Sequence, residues 1–328
     1  MLHTLYGRLA LTRRAWYERP GARRRLSRPV ISVGNLSVGG TGKTPLVAAI
    51  ATWLVAIGER PAILSRGYAR TVTSRDATVV SDGTRIRTDV AHAGDEPLML
   101  ARAVPGAAVV VCAERHAAGV VAEETLGATI HLLDDGFQHL PLARDLDIVV
   151  TAAGTLATDA VLPRGRLREP VAALSRADLL VVVGATDDEA EAEARTYGVA
   201  RGVGATRRLG APLAVQGEMP TRERPLVVMA GIGQPAQFVH ALTADGWQVL
   251  DTCAYRDHHW YTPADLSAVA RRVAAAGAWG VATTDKDAVR LEPLGPLPVP
   301  VARWPLTLDL PRWDVVTTAI GQVLGGRP

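Results

Sequence analysis

The chain has 328 residues, 48% of them hydrophobic, with a formal net charge of +3; that is enough apolar side chain to fill one large or two moderate cores, which excludes disorder as the default. So small a surplus argues against a general nucleic-acid surface, and no nucleic-acid partner is expected. Cys112 and Cys253 stand far apart with no CxxC or histidine at metal-ligand spacing, which excludes a disulfide framework and a zinc cluster and fits a reducing cytoplasm.

The basic residues crowd the start of the chain, where Arg8, Arg13, Arg14, Arg19, Arg23, Arg24, Arg25 and Arg28 face the single acid Glu18. Leu2, Leu5, Tyr6 and Leu9 fall at helical spacing, so residues 1–28 read as a basic amphipathic arm. It either docks on the protein body or lies on an anionic membrane surface. No apolar run reaches the roughly 18–20 residues of a spanning helix, and no signal-peptide pattern is expected.

Apolar, Val- and Ile-rich runs then recur at 30–33, 61–64, 78–80, 107–112, 129–133, 147–150 and 178–183, separated by helix-length segments. This is the pattern of a mostly parallel buried sheet flanked by helices, an α/β fold of the P-loop NTPase type. Residues 185–197 form an acidic, alanine-rich helix. After a polar stretch at 217–225 the pattern restarts with a strand at 226–230, a helix at 235–245, a strand at 248–250, a helix at 263–276 and a strand at 280–283. The expected organisation is an arm at 1–28, a P-loop domain at 29–219, a smaller α/β domain at 220–310 and a C-terminal helix at 311–328 that packs back on the first domain.

The run from Val30 to Thr44 carries the strongest chemical signal: a strand, a loop of Ser37, Val38, Gly39, Gly40, Thr41, Gly42, Lys43 and Thr44, and then a helix. Glycines let backbone N–H groups point at phosphate oxygens, and the helix N-terminus adds its dipole. Lys43 is expected to bridge the β- and γ-phosphates of ATP and Thr44 to give its hydroxyl to Mg2+. Ser37 occupies a position where the strict pattern has glycine. A second strand ends in Asp134 and Asp135, at the edge where open α/β sheets bind ligands; either carboxylate could hold the magnesium through water.

These segments resemble the tetraacyldisaccharide 4'-kinases, which phosphorylate a lipid A precursor in Gram-negative bacteria. The resembling stretches are 33–45, 64–68, 94–97, 134–139, 162–170, 231–233, 257–259 and 284–287, in the family's order, and Ser37 matches the small hydroxyl residue that the family carries there. Members usually begin with a longer apolar segment than the one ahead of Leu5-Tyr6-Gly7. The resemblance implies transfer of the ATP γ-phosphate to the 4'-hydroxyl of a tetraacylated glucosamine disaccharide 1-phosphate. It implies a place at the cytoplasmic face of the bacterial inner membrane, and no obligate protein partner is inferred.

By the same resemblance Asp95 matches the family's catalytic aspartate and His258 the histidine that acts with it, with His259 as a substitute that spacing does not rank. Read alone, Asp95 in Gly94-Asp-Glu-Pro is a helix start. Arg115 either clamps phosphate or is a solvated side chain. Arg66 and Tyr68, after the strand at 61–64, are substrate contacts. Lys286 and Asp287 either reach the cleft from the second domain or form an ion pair. The rival readings are a P-loop ATPase of the partitioning or metallochaperone sort, and a nucleotide-binding membrane scaffold; the first lacks its extra lysine, since Val38 stands in that place.

Overall fold

The computed structural model describes residues 12–326. The apolar helical face expected over Leu2–Leu9 lies outside them.

Short, fully buried β-branched runs make the centre of the large sheet. Strands β1 (Val30–Gly34), β2 (Pro61–Ser65), β3 (Thr78–Asp82), β4 (Ala108–Val111), β5 (Ile130–Asp134), β6 (Leu146–Ala152), β7 (Leu179–Val183) and β8 (Gly202–Leu209) are joined mostly through helices. A second sheet contains β9 (Leu213–Gln216), β10 (Leu226–Ala230), β11 (Val249–Ala254), β12 (Gly280–Thr284) and β13 (Val301–Trp304), and β14 (Leu306–Asp309) follows. The large sheet runs β14-β8-β7-β6-β1-β5-β2-β4-β3 and the small one β11-β10-β12-β13-β9. Within the large sheet only the edge strands β3 and β14 pair antiparallel. The strands between are parallel, so their C-terminal ends share one edge.

Two details depart from the sequence reading. The second sheet already takes in β9, ahead of residue 220, and β14 leaves the 220–310 segment to pair with β8 in the first sheet. The helix Trp313–Gly325 buries Val315, Val316, Ala319 and Ile320 in the same core as Ile31, Val33 and Leu46. The chain therefore crosses between the sheets twice, at 210–212 and at Pro305.

The central position of β1 decides where the site lies. Val33 sits in register with Asp134 of β5, so the loop leaving β1 and the acidic end of β5 emerge side by side. Gly34 is required there: a Cβ on it would lie 2.5 Å from the Phe137 Cβ.

Candidate active site

The phosphate loop is fastened from below. Asn35, fully buried, donates from Nδ2 to the Ser37 carbonyl at 2.5 Å and to Thr41 Oγ1 at 3.0 Å. The Val38 amide donates to the Arg166 carbonyl at 2.8 Å and the Arg168 amide to the Leu36 carbonyl at 2.6 Å. Ser37 is thereby buried beneath the loop, while Val38, Gly39 and Gly40 are exposed above it. Gly42 takes φ 100° as the residue before the helix Lys43–Ala56, a conformation that would strain any other residue. The loop forms the floor of a cleft of about 1340 Å³, whose walls come from both sheets' domains. Val38 to Thr44, Arg66, Tyr68, Arg115, Asp134, Asp135 and His258 all line it; Ser37 and Asp95 stand behind the wall.

The two strand-end aspartates have different surroundings. Lys43 Nζ is 3.4 Å from Asp135 Oδ1, and Arg168 Nη1 donates to Asp135 Oδ2 at 2.6 Å. Burial works against the Asp135 charge, but Lys43 and Arg168 outweigh it and hold the carboxyl below the usual range. Asp134 accepts only a long 3.5 Å hydrogen bond from Ser65 at Oδ2, and its Oδ1 is buried without a hydrogen-bond partner. Burial, Glu96 and Asp135 push it up to about 7 against Lys43 and Arg115. An orphaned carboxylate oxygen in a cleft that the phosphate loop and Thr44 also line is the hard, sparse donor set that suits Mg2+, which takes one or two carboxylates and completes its shell from phosphates and water. Asp135, in contrast, is already held by two cations.

Arg115 is not a solvated side chain. It is 5% exposed, donates from Nη1 to the Ala113 carbonyl at 2.9 Å and leaves Nε buried without a partner. Burial and the nearby Arg66 lower its pKa to about 10. His139 is driven down to about 3 by burial and then by Arg115 and Arg144. This wall thus gathers cationic and donor groups toward an anionic ligand. Arg66 and Tyr68 are exposed on the loop after β2, and the Tyr68 ring meets His258 edge-on at 5.0 Å.

Asp95 opens the helix Asp95–Ala103, and Gly94, at φ 85°, precedes it. Its Oδ1 accepts from the Glu96 amide at 2.9 Å, but Gly94 occupies the cap position, so Asp95 is the first residue of the helix and not its N-cap. Its Oδ2 lies 3.0 Å from His258 Nδ1, across the boundary between the two domains. His258 is held at φ 60°, in the left-handed region that a β-carbon disfavours. Burial and the charge of Lys286, outweighing Asp257 and Glu96, lower the His258 pKa. His259 points elsewhere: its Nε2 is 3.1 Å from Asp265 Oδ2, and its ring stacks on Tyr255 at 4.6 Å.

Lys286 combines both of its expected roles. Its Nζ lies 3.0 Å from Asp257, 3.3 Å from Glu96, 3.8 Å from Asp95 and 3.2 Å from His258 Nε2. Asp287 instead turns inward, where Gly231 N, Tyr261 Oη and Thr284 Oγ1 donate to its buried carboxylate. Sequence reasoning gave no role to Arg168, Arg207 or Arg290. Arg207 donates to the Gly40 carbonyl at 2.5 Å and to Gln237 at 2.7 Å, linking the loop to the second domain. Arg290 pairs with Asp95 and lies 2.9 Å from His258 Nδ1. Its spacing of four residues from Lys286 on the helix Asp285–Leu291 was the available signal.

Comparison with known proteins supplies what geometry alone does not. Residues 1–324 match the family model described as tetraacyldisaccharide-1-P 4'-kinase. A tetraacyldisaccharide 4'-kinase of Geobacter metallireducens is 43% identical over 281 residues, covering 83% of this chain and 81% of that protein. One of Anaeromyxobacter dehalogenans is 42% identical over 305 residues, covering 87% and 78%. A crystal structure of an "apo" form of LpxK from Aquifex aeolicus in complex with ATP superposes with a TM-score of 0.77 at 30% identity, covering 98% of this chain and 97% of that one.

Proposed function

The chain belongs to the tetraacyldisaccharide-1-P 4'-kinase family, and from that premise we propose how its residues divide the work of phosphorylating a lipid A precursor. It is an ATP-dependent kinase whose acceptor is an acylated glucosamine disaccharide 1-phosphate. The partitioning-ATPase and scaffold readings have no observation in their favour.

In this reading the amides of Gly39 to Thr44 receive the nucleotide phosphates, and Lys43 exchanges Asp135 for the β- and γ-phosphates as ATP enters. Thr44 and Asp134 would hold magnesium, which when bound would supply positive charge against the transferring phosphoryl group. Arg66, Tyr68 and Arg115 contact substrate, the two arginines through its anionic groups.

A sugar hydroxyl is far too weak an acid to lose its proton unaided at neutral pH, so a positioned base is needed as the new P–O bond forms. His258 lines the cleft and Asp95 does not, which favours the imidazole as the acceptor and Asp95 as its orienter. With Nδ1–H donated to Asp95, the lone pair of His258 is on Nε2, where Lys286 Nζ, 3.2 Å away, gives way to the acceptor hydroxyl. The acceptor oxygen bonds to the γ-phosphorus, its proton moves to Nε2, and the bond to the β-phosphate oxygen breaks to release ADP.

The observation that carries this reading is the 3.0 Å contact between Asp95 and His258 at the wall of a cleft floored by the phosphate loop. Its test is ADP release with and without the acylated disaccharide 1-phosphate: release that depends on the acceptor supports it, and equal release without acceptor refutes it.

An acylated acceptor also places the work at a bilayer, and we infer the cytoplasmic face of the inner membrane. Among the described residues no helix is long and apolar enough to cross a membrane. Peripheral attachment through the arm is supported by the exposure of Trp16, at 50%, and of Arg13, Arg19, Arg25 and Arg28 along the same stretch of chain.

A further inference from the structure

We propose that Arg290 is the positioning residue of the Asp95–His258 pair, a guanidinium that ties carboxylate and imidazole into one geometry and keeps the ring ready to accept a proton. The inference rests on the reading of that pair as the proton-accepting unit.

Arg290 and Asp95 are each 1% exposed at the side chain and form an ion pair across the domain boundary. The same Nη2 lies 2.9 Å from His258 Nδ1, and Nη1 donates to the His259 carbonyl at 3.3 Å. One side chain therefore pairs with the carboxylate and holds the backbone that carries the ring, while against the ring itself Nη2 faces Nδ1–H and acts by its charge rather than as a hydrogen-bond donor. A planar fork suits such a task, because its donors diverge at fixed angles while a lysine offers one point charge. Without it, the buried Asp95 charge would be left with the Glu96 amide, the ring and, at 3.8 Å, Lys286; an undercompensated buried charge is costly.

The charges that face His258 are Asp95 and Glu96 from the helix Asp95–Ala103, Asp257 beside it, and Lys286, Asp287 and Arg290 from the helix Asp285–Leu291, with the Tyr68 ring against its edge. Two cations, one near each ring nitrogen, oppose protonation of the imidazole. A base must be unprotonated to act, so the acid limb of kcat marks where the ring begins to charge. Removing Arg290's charge makes the ring easier to protonate and moves that limb to higher pH.

The experiment measures kcat, ATP KM and the pH profile of kcat for Arg290→Met, Arg290→Gln and Arg290→Lys, with Asp95→Asn and His258→Ala alongside; Gln keeps a donor without charge and serves if Met does not fold. The expected result is a loss of about tenfold or more in kcat for the neutral variants, an ATP KM within about twofold of the parent, an acid limb shifted upward, and partial recovery in Arg290→Lys. Unchanged kcat, or a lower kcat with the acid limb unmoved, overturns the proposal. Near-parental kcat in Asp95→Asn and His258→Ala overturns the underlying reading of the pair instead, and the inference with it.

Discussion

Asp95 and His258, 163 residues apart in the chain, meet with Oδ2 and Nδ1 3.0 Å apart. Each comes from a different sheet's domain and each is held by a demanding local conformation, Gly94 at φ 85° before the one and φ 60° at the other. The contact therefore depends on two domains being docked in one particular way.

Lys43 is not a free side chain waiting for nucleotide. It is 12% exposed and paired with Asp135. Lys43→Ala is expected to cut phosphoryl transfer by at least about 10²-fold, the scale for removing a preorganised charge from a developing phosphate. Because Arg168 still holds Asp135, the fold should survive, with an unchanged far-ultraviolet circular dichroism spectrum. A folded variant with near-parental turnover would remove Lys43 from phosphate binding.

Gly94→Ala should damage both stability and rate. A Cβ at this residue would lie 2.6 Å from the Tyr68 carbonyl, and φ 85° with ψ 163° is a glycine conformation. The expected cost is about 1–3 kcal/mol, read as a lower thermal midpoint, with a fall in kcat because Asp95 and Tyr68 flank the strained residue. A variant as stable and as active as the parent would contradict the geometry described for this turn.

His139 predicts a specific acid sensitivity. Its folded pKa, depressed to about 3, lies well below the ordinary value of about 6.5. Between those two values the unfolded chain takes up a proton that the folded chain refuses, so stability is present above about pH 6.5 and is lost as pH falls toward 3. His139→Gln should flatten that loss, by up to about 1.4 kcal/mol per pH unit, in urea unfolding compared at pH 7 and pH 5. Parallel losses in variant and parent would show that the ring does not resist protonation.

The fold centre and the phosphate loop were legible because β1, its loop and its helix are contiguous, and local chemistry decides each: a buried β-branched run, glycines, then Lys43-Thr44. Edge and crossover strands were not. In β8 the outer half carries Thr206, Arg207 and Arg208, which hides the apolar alternation. Strands β13 and β14 are separated by Pro305 alone, yet pair in different sheets, and nothing in Val301–Trp304 or Leu306–Asp309 reports which partner each takes. At the site, adjacent His258 and His259 look equivalent in sequence. They are separated only by the positive φ that turns one ring to Asp95 and by Asp265, which engages the other.

The most direct measurement is kcat on the acylated disaccharide 1-phosphate at saturating ATP for the parent, Asp95→Asn, His258→Ala and the double variant. The account predicts single losses of about 10²- to 10⁴-fold, little change in ATP KM, and a double variant no worse than the weaker single, because base and orienter act as one unit. Multiplicative losses, or a near-parental kcat in either folded single variant, would contradict it.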